Sequence, residues 1–265
     1  MMQTRRIAVL VGLLAVAALI PTPAGSVGLG LSVTPGKFEV SIPLGTTYNV
    51  PVTVQNSNFS STHVQATMVD FGLSQSGNYE FSKVGSRPYS LLKWAAIRPR
   101  EFDIAPGTSQ QVQLTLAIPS NQHLTGEYAG IIFFQTRPER KPGQNVAFSV
   151  RVASKIYETI PGTVKIEGAI VKMTSVKSPG GQIFRVLFKN IGNAHVYLRG
   201  QITVQKNGAS VYQTAMPDNL LVERGGERDV EVRGKALPRG SYQAIATIDY
   251  GGKNETGGEI NFEVH

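Results

Sequence analysis

The chain has 265 residues, enough for two domains of ordinary size, and with 41% hydrophobic residues each of them can bury a core. It contains no cysteine, which excludes disulfides, thiolate nucleophiles and cysteine metal sites together. Its net charge of +8 divides into +2 before residue 27, 11 basic against 8 acidic side chains over 27–160, and 13 against 10 over 161–265, so no part carries the long basic run of a nucleic-acid binder.

The first predicted element is an export signal over residues 1–26. Arg5 and Arg6 precede the apolar run of residues 7–20, and Pro21, Pro23 and small residues follow where a signal peptidase would cut. That run falls short of the roughly 20 residues of a membrane-spanning helix. No later segment is apolar enough to span, so the mature chain is expected to be periplasmic or secreted to the cell surface, with no transmembrane helix.

Residues 27–160 follow as the first predicted domain. Residues 50–58, VPVTVQNSN, alternate and end in an asparagine turn, and FGLSQSGNYEF at 71–81 reads as a hairpin. Val112, Leu114, Leu116 and Ile118 alternate with polar or small residues after the Pro106-Gly107 turn, the period of a strand with one buried face. Pro119 closes the stretch, and Gly126-Glu-Tyr128 opens an apolar strand. Residues 139–145, ERKPGQN, read as a hairpin or loop tip, and 146–160 as one long strand, on which Val146, Phe148, Val150 and Val152 share a face.

The same order returns after a joint at Ile160-Pro161-Gly162, in a second predicted domain over 161–265. A strand over 164–173 opens it, and residues 185–193, RVLFKNIGN, repeat the strand with its asparagine turn. Val230 and Val232 alternate after Gly225-Gly226, Pro238 closes, and Gly240-Ser-Tyr242 opens the next strand. Short strands at this spacing without helical periodicity predict an all-β protein: two tandem immunoglobulin-like antiparallel β-sandwiches, one unit duplicated. Tyr128 and Tyr242 each stand where a tyrosine corner would bond back to upstream backbone.

Catalytic signals are absent. His63, His123, His195 and His265 are scattered without metal-ligand spacing, so no metal and no cofactor is expected. Ser90 and Lys93 match the SxxK pattern of penicillin-binding enzymes, but the companion SDN and KTG elements are missing and the stretch is β-patterned. Trp94 reads as a core anchor and the lysines and arginines around it as solvated surface. The chain is read as a non-enzyme.

The sequence from Trp94 through Ile97, Pro99, Phe102, Ile104 and Pro106-Gly107 to Pro119 and Gly126-Glu-Tyr128 resembles the first domain of periplasmic pilus-assembly chaperones, over about residues 30–160. It also resembles the N-terminal domain of WxL-interacting cell-surface proteins. The first resemblance implies a chaperone or assembly factor that lends a strand edge to a pilus subunit, with the 146–157 strand as that edge and Val146, Phe148, Val150 and Val152 as the side chains offered to the partner. It further implies an arginine on the first strand and a lysine on the long strand that hold the subunit's terminal carboxylate; the candidates are Lys37, a lysine in place of the arginine, and Lys155, about one position from the expected register. The second resemblance implies instead a surface adaptor that binds peptidoglycan through the first domain and a protein through the second.

Overall fold

The computed structural model describes residues 30–140 and 145–265, so the expected export signal and most of the 139–145 loop tip lie outside the described residues. The first half holds strands β1 (Leu31–Thr34), β2 (Lys37–Ser41), β3 (Thr47–Asn56), β4 (Thr62–Leu73), β5 (Tyr79–Ser82), β6 (Ala95–Arg98), β7 (Glu101–Ile104), β8 (Ser109–Ala117), β9 (Glu127–Thr136), β10 (Glu139–Arg140), β11 (Ala147–Phe148) and β12 (Arg151–Thr159). The second holds β13 (Gly168–Ser178), β14 (Gly181–Asn190), β15 (Val196–Lys206), β16 (Ala209–Ala215), β17 (Leu220–Val222), β18 (Glu227–Arg233), β19 (Gly240–Asp249) and β20 (Thr256–Val264). One turn of 3-10 helix, Leu91–Trp94, is the single helical element among the described residues.

Each half is a sandwich of two sheets. In the first, the order β1-β3-β8-β6 faces the order β2-β12-β9-β4-β5, with β7 alongside the start of β4. In the second, β13-β14-β18 faces β16-β15-β19-β20, with β17 on β15. The alternation read from the sequence explains the cores. Val50, Val52 and Val54 of β3 and Val112, Leu114 and Leu116 of β8 turn inward onto Phe134, Ile132 and Ile156 of the opposing sheet. Phe184, Val186 and Phe188 of β14 and Val230 and Val232 of β18 do the same against Ile202, Val204, Ala244 and Ala246. The all-β, two-sandwich class expected from the sequence is the observed one.

The duplication extends to buried detail. The Nδ2 of Asn56, at the end of β3, donates to the carbonyls of Ser60 and Ile104 at 2.8 and 2.9 Å, while its Oδ1 accepts the Asn58 N–H. The Nδ2 of Asn190, at the end of β14, donates to the carbonyls of Ala194 and Glu223 at 2.8 and 3.0 Å, and its Oδ1 accepts the Gly192 N–H. Both asparagines are fully buried, each satisfying turn backbone that would otherwise be orphaned. The tyrosine corner forms once: the Tyr242 hydroxyl donates to the Pro238 carbonyl at 3.0 Å, whereas Tyr128 packs its ring 4.7 Å from that of Trp94.

Three expectations need correction. The strand expected over 164–173 begins at Gly168, because the backbone before it spans the joint, where the Lys165 and Glu167 carbonyls accept the N–H groups of Asn193 and of Ile191 and Gly192. The SxxK stretch is not a strand. Ser90 precedes the 3-10 turn, and its buried hydroxyl donates to Asp70 Oδ1 at 2.6 Å, which makes it a structural brace. The long strand over 146–160 is interrupted at 149–150: β10 pairs β11 one residue out of step with the β9–β12 ladder, and Thr136 supplies the replacement bonds, its Oγ1 accepting the Val150 N–H and its carbonyl accepting the Ser149 hydroxyl.

Candidate partner-binding edge and cleft

The first strand of the chain changes sheets. β1 pairs β3, but Pro35 has no N–H to continue that ladder, and after Gly36 the chain joins the other sheet as β2, parallel to β12. The Pro35 carbonyl accepts the Ser154 hydroxyl at 2.7 Å and the Gly36 carbonyl accepts the Lys155 N–H at 3.0 Å. β2 therefore covers the outer side of β12 from Lys155 to Thr159 and leaves the part before it uncovered.

Alternation shows what that uncovered part offers. Val150 faces inward to the ladder, its carbonyl accepting the Thr136 N–H, while Lys155 faces outward to Gly36. In an antiparallel strand these roles alternate, so the odd-numbered Arg151 and Ala153 turn their backbone N–H and C=O groups to the outer side, where no described strand pairs. Of the four side chains read as partner-binding, Val150 and Val152 pack against their own domain's core. Val146 and Phe148 are 58% and 61% exposed. The interruption at 149–150 divides the set.

The same parallel register places Lys37 directly beside Lys155, roughly 4.8 Å apart between backbones. Phe38, Val40 and Ile156 turn into the core, so both lysines project from the other face of the sheet, toward the second sandwich. Lys37 Nζ donates to Glu39 Oε1 at 2.5 Å and to the hydroxyl of Tyr197, on β15, at 3.3 Å. Lys155 Nζ donates to the Tyr79 hydroxyl at 3.0 Å. The bond from Lys37 holds the Glu39 carboxyl below the ordinary carboxylate range and raises Lys37 in turn, with burial opposing both shifts.

Beside the lysines this face is aromatic. Phe71, Phe133 and Tyr157 are buried on it, Tyr79 and Phe81 stack at 6.0 Å with their rings half exposed, and the Arg151 guanidinium lies 4.4 Å from the Phe133 ring centroid. Burial pushes the Tyr157 phenol well above its usual range.

The second sandwich is bound to the first rather than hung from it. Glu127 accepts the His195 backbone N–H at 3.1 Å, its other oxygen lies 2.5 Å from His195 Nδ1, and both side chains are nearly buried. The Arg224 guanidinium donates to the carbonyls of Thr125 and Glu127 and lies 3.5 Å over the Tyr89 ring. The tip of the 71–81 hairpin also docks on the second sandwich, Gln75 accepting the Asp229 N–H and donating to Glu227. Gly126 has φ +70°, and a Cβ there would fall 2.3 Å from the Asn193 carbonyl, so only glycine permits this approach. A cavity of about 310 Å³ remains at the joint, lined by Asp70, Arg87, Tyr89, Tyr157, Glu223 and Arg224 among others. Burial raises Glu223 there to about 7, and it does the same to Glu158, which stands between Ile156 and Ile160 on the core-facing side of β12.

The sequence reading missed Glu39, Tyr79, Tyr197 and the Glu127–His195 pair. Glu39 alone carried a local signal, lying two residues from Lys37 and so on the same face of a strand. Among the described residues no group of three or more His, Asp or Glu side chains is placed to hold a metal, and no helix is long and apolar enough to cross a membrane.

No protein-family model matches the sequence, and no curated protein sequence is detectably similar to it. Solved structures are similar in fold. The class 5 fimbriae chaperone CfaA superposes with a TM-score of 0.50 at 10% identity, over 89% of this chain and 99% of its own. A chaperone–tip adhesin complex of CFA/I fimbriae biogenesis gives 0.50 at 10% identity, over 87% of this chain and 97% of that one. At that identity the likeness speaks for architecture, and it spans both sandwiches: this chain has the two-domain fold of the pilus-assembly chaperones.

Proposed function

We propose that the protein is an exported, non-enzymatic chaperone or assembly factor of the fimbrial type, working in the periplasm. It lends the uncovered edge before Lys155 to a partner that lacks a strand. The backbone groups of Arg151 and Ala153 pair with the partner chain, while Val146 and Phe148, already exposed, fill its open apolar groove. Lys37 and Lys155 receive the carboxylate at the partner's C-terminus.

The observation that carries this reading is the half-covered strand: a hydrogen-bonding edge that ends where two lysines stand in register at the mouth of a cleft. A solvated, unpaired edge is a hazard unless it has a partner. A fimbrial partner is supported by the shared architecture with a structure described as a chaperone–tip adhesin complex.

Co-expression with a fimbrial subunit tests it. The complex is expected to co-purify with the wild-type chain and to be lost with Phe148→Glu, while the fold of the variant is unchanged by circular dichroism. A complex that survives both Phe148→Glu and Val146→Glu would remove this strand as the binding edge.

A further inference from the structure

The proposed anchor is already occupied from within. Lys37 Nζ is held by Glu39 Oε1 at 2.5 Å, and the same oxygen lies 3.7 Å from His195 Nε2 on the second sandwich. The other ring nitrogen of His195 lies against Glu127. Glu39 therefore stands between Lys37 on the cleft floor and His195 on its wall. Lys155 differs: among the described residues no carboxylate stands within 4.0 Å of its Nζ, whose partner is the neutral Tyr79 hydroxyl.

We infer that Glu39 is an internal substitute for the partner's carboxylate, holding Lys37 while the cleft is empty and moving against His195 when an incoming carboxylate takes its place. This rests on the reading of Lys37 and Lys155 as the anchor. The two lysines then have different tasks. Lys155, with no carboxylate in contact, attracts an incoming one directly, whereas at Lys37 one carboxylate is exchanged for another, so only the difference between the two pairings adds to binding. Glu39 weakens capture and so favours release, which a protein that must hand its cargo on requires.

Fluorescence anisotropy with two labelled peptides tests the assignment. Both have about eight residues of alternating valine and threonine, long enough for one strand; one ends in a free carboxylate and the other in an amide. With the two-domain protein, Glu39→Gln is expected to tighten the free-acid peptide by about two- to fivefold, the scale of one exposed ion pair, and to leave the amide unchanged. Lys37→Gln and Lys155→Gln are expected to erase the preference for the free acid. If both lysine variants do so while Glu39→Gln leaves the free-acid affinity the same or weaker, the exchange is wrong and the anchor stands. If neither lysine matters, or the wild type shows no preference for the free acid, the anchor and the exchange fall together.

Discussion

Glu127 of the first sandwich accepts the backbone N–H of His195 of the second and touches its imidazole at 2.5 Å with the other oxygen. One carboxylate thus fixes both a turn and a ring across the joint. The cleft keeps its shape because this pair and Arg224 hold the sandwiches at one angle.

Removing that carboxylate should loosen the elbow. Glu127→Ala leaves His195 and its N–H without their partner, and the cost of breaking such a buried pair is about 3 kcal/mol. A lowered urea midpoint together with a larger maximum dimension in small-angle scattering is the expected result; unchanged values for both would show that Arg224 and the Gln75 contacts suffice.

Folding stability should also fall as the solution turns from acid to neutral. Glu158 and Glu223 titrate near 7 in the folded chain, above the ordinary 4.5, because burial disfavours their charged forms. A raised carboxyl favours folding fully below 4.5 and loses that advantage as pH climbs through 7. Urea midpoints are expected to fall across this range for the wild type and to fall less in a Glu158→Gln/Glu223→Gln variant. A wild-type midpoint that rises between these pH values, or one that the double variant does not flatten, would count against it.

The asparagine plugs should be costly in both halves. Asn190→Ala strips the donor from the Ala194 and Glu223 carbonyls in a fully buried turn, at about 2 kcal/mol. Asn56→Ala should cost a similar amount in the first sandwich. Amide hydrogen exchange would show faster opening confined to the sandwich that carries the change; a uniform rise across both would contradict the separate cores.

Val146 and Phe148 on one side of the interruption and Val150 and Val152 on the other should behave as two pairs. Val152→Glu drives a charge against the first core and is expected to destabilise the fold by about 3 kcal/mol or more. Val146→Glu should leave thermal unfolding within about 0.5 kcal/mol of wild type, as a surface change does. Equal effects at the two positions would mean that the interruption at 149–150 has no structural meaning.

Much of the architecture was written locally. The alternation of Val112, Leu114, Leu116 and Ile118 states which face is buried, and its recurrence at Val230 and Val232 states that the unit is doubled. The asparagine turns were legible for the same reason, since the residues that accept from Asn56 and Asn190 include their close neighbours. The cleft was not legible in this way. That Lys37 stands beside Lys155 depends on a parallel register between strands at opposite ends of the domain, set by the crossing at Pro35-Gly36. The hold of Tyr79 on Lys155 and of Tyr197 on Lys37 needs in addition a hairpin and a second sandwich, and no period in the sequence encodes those distances. The interruption at 149–150 was hidden because Val146, Phe148, Val150 and Val152 keep perfect alternation through a one-residue slip that occurs in their pairing partners.

The crossing at Pro35-Gly36 has one more consequence. Because β2 takes up the ladder at Lys155, any backbone zipped onto the free margin must halt there, at a fixed number of peptide units from Phe148. In the proposed edge pairing the chain itself acts as a ruler: it dictates how far a guest can slide, and a guest one residue too long or too short would present the wrong row of side chains.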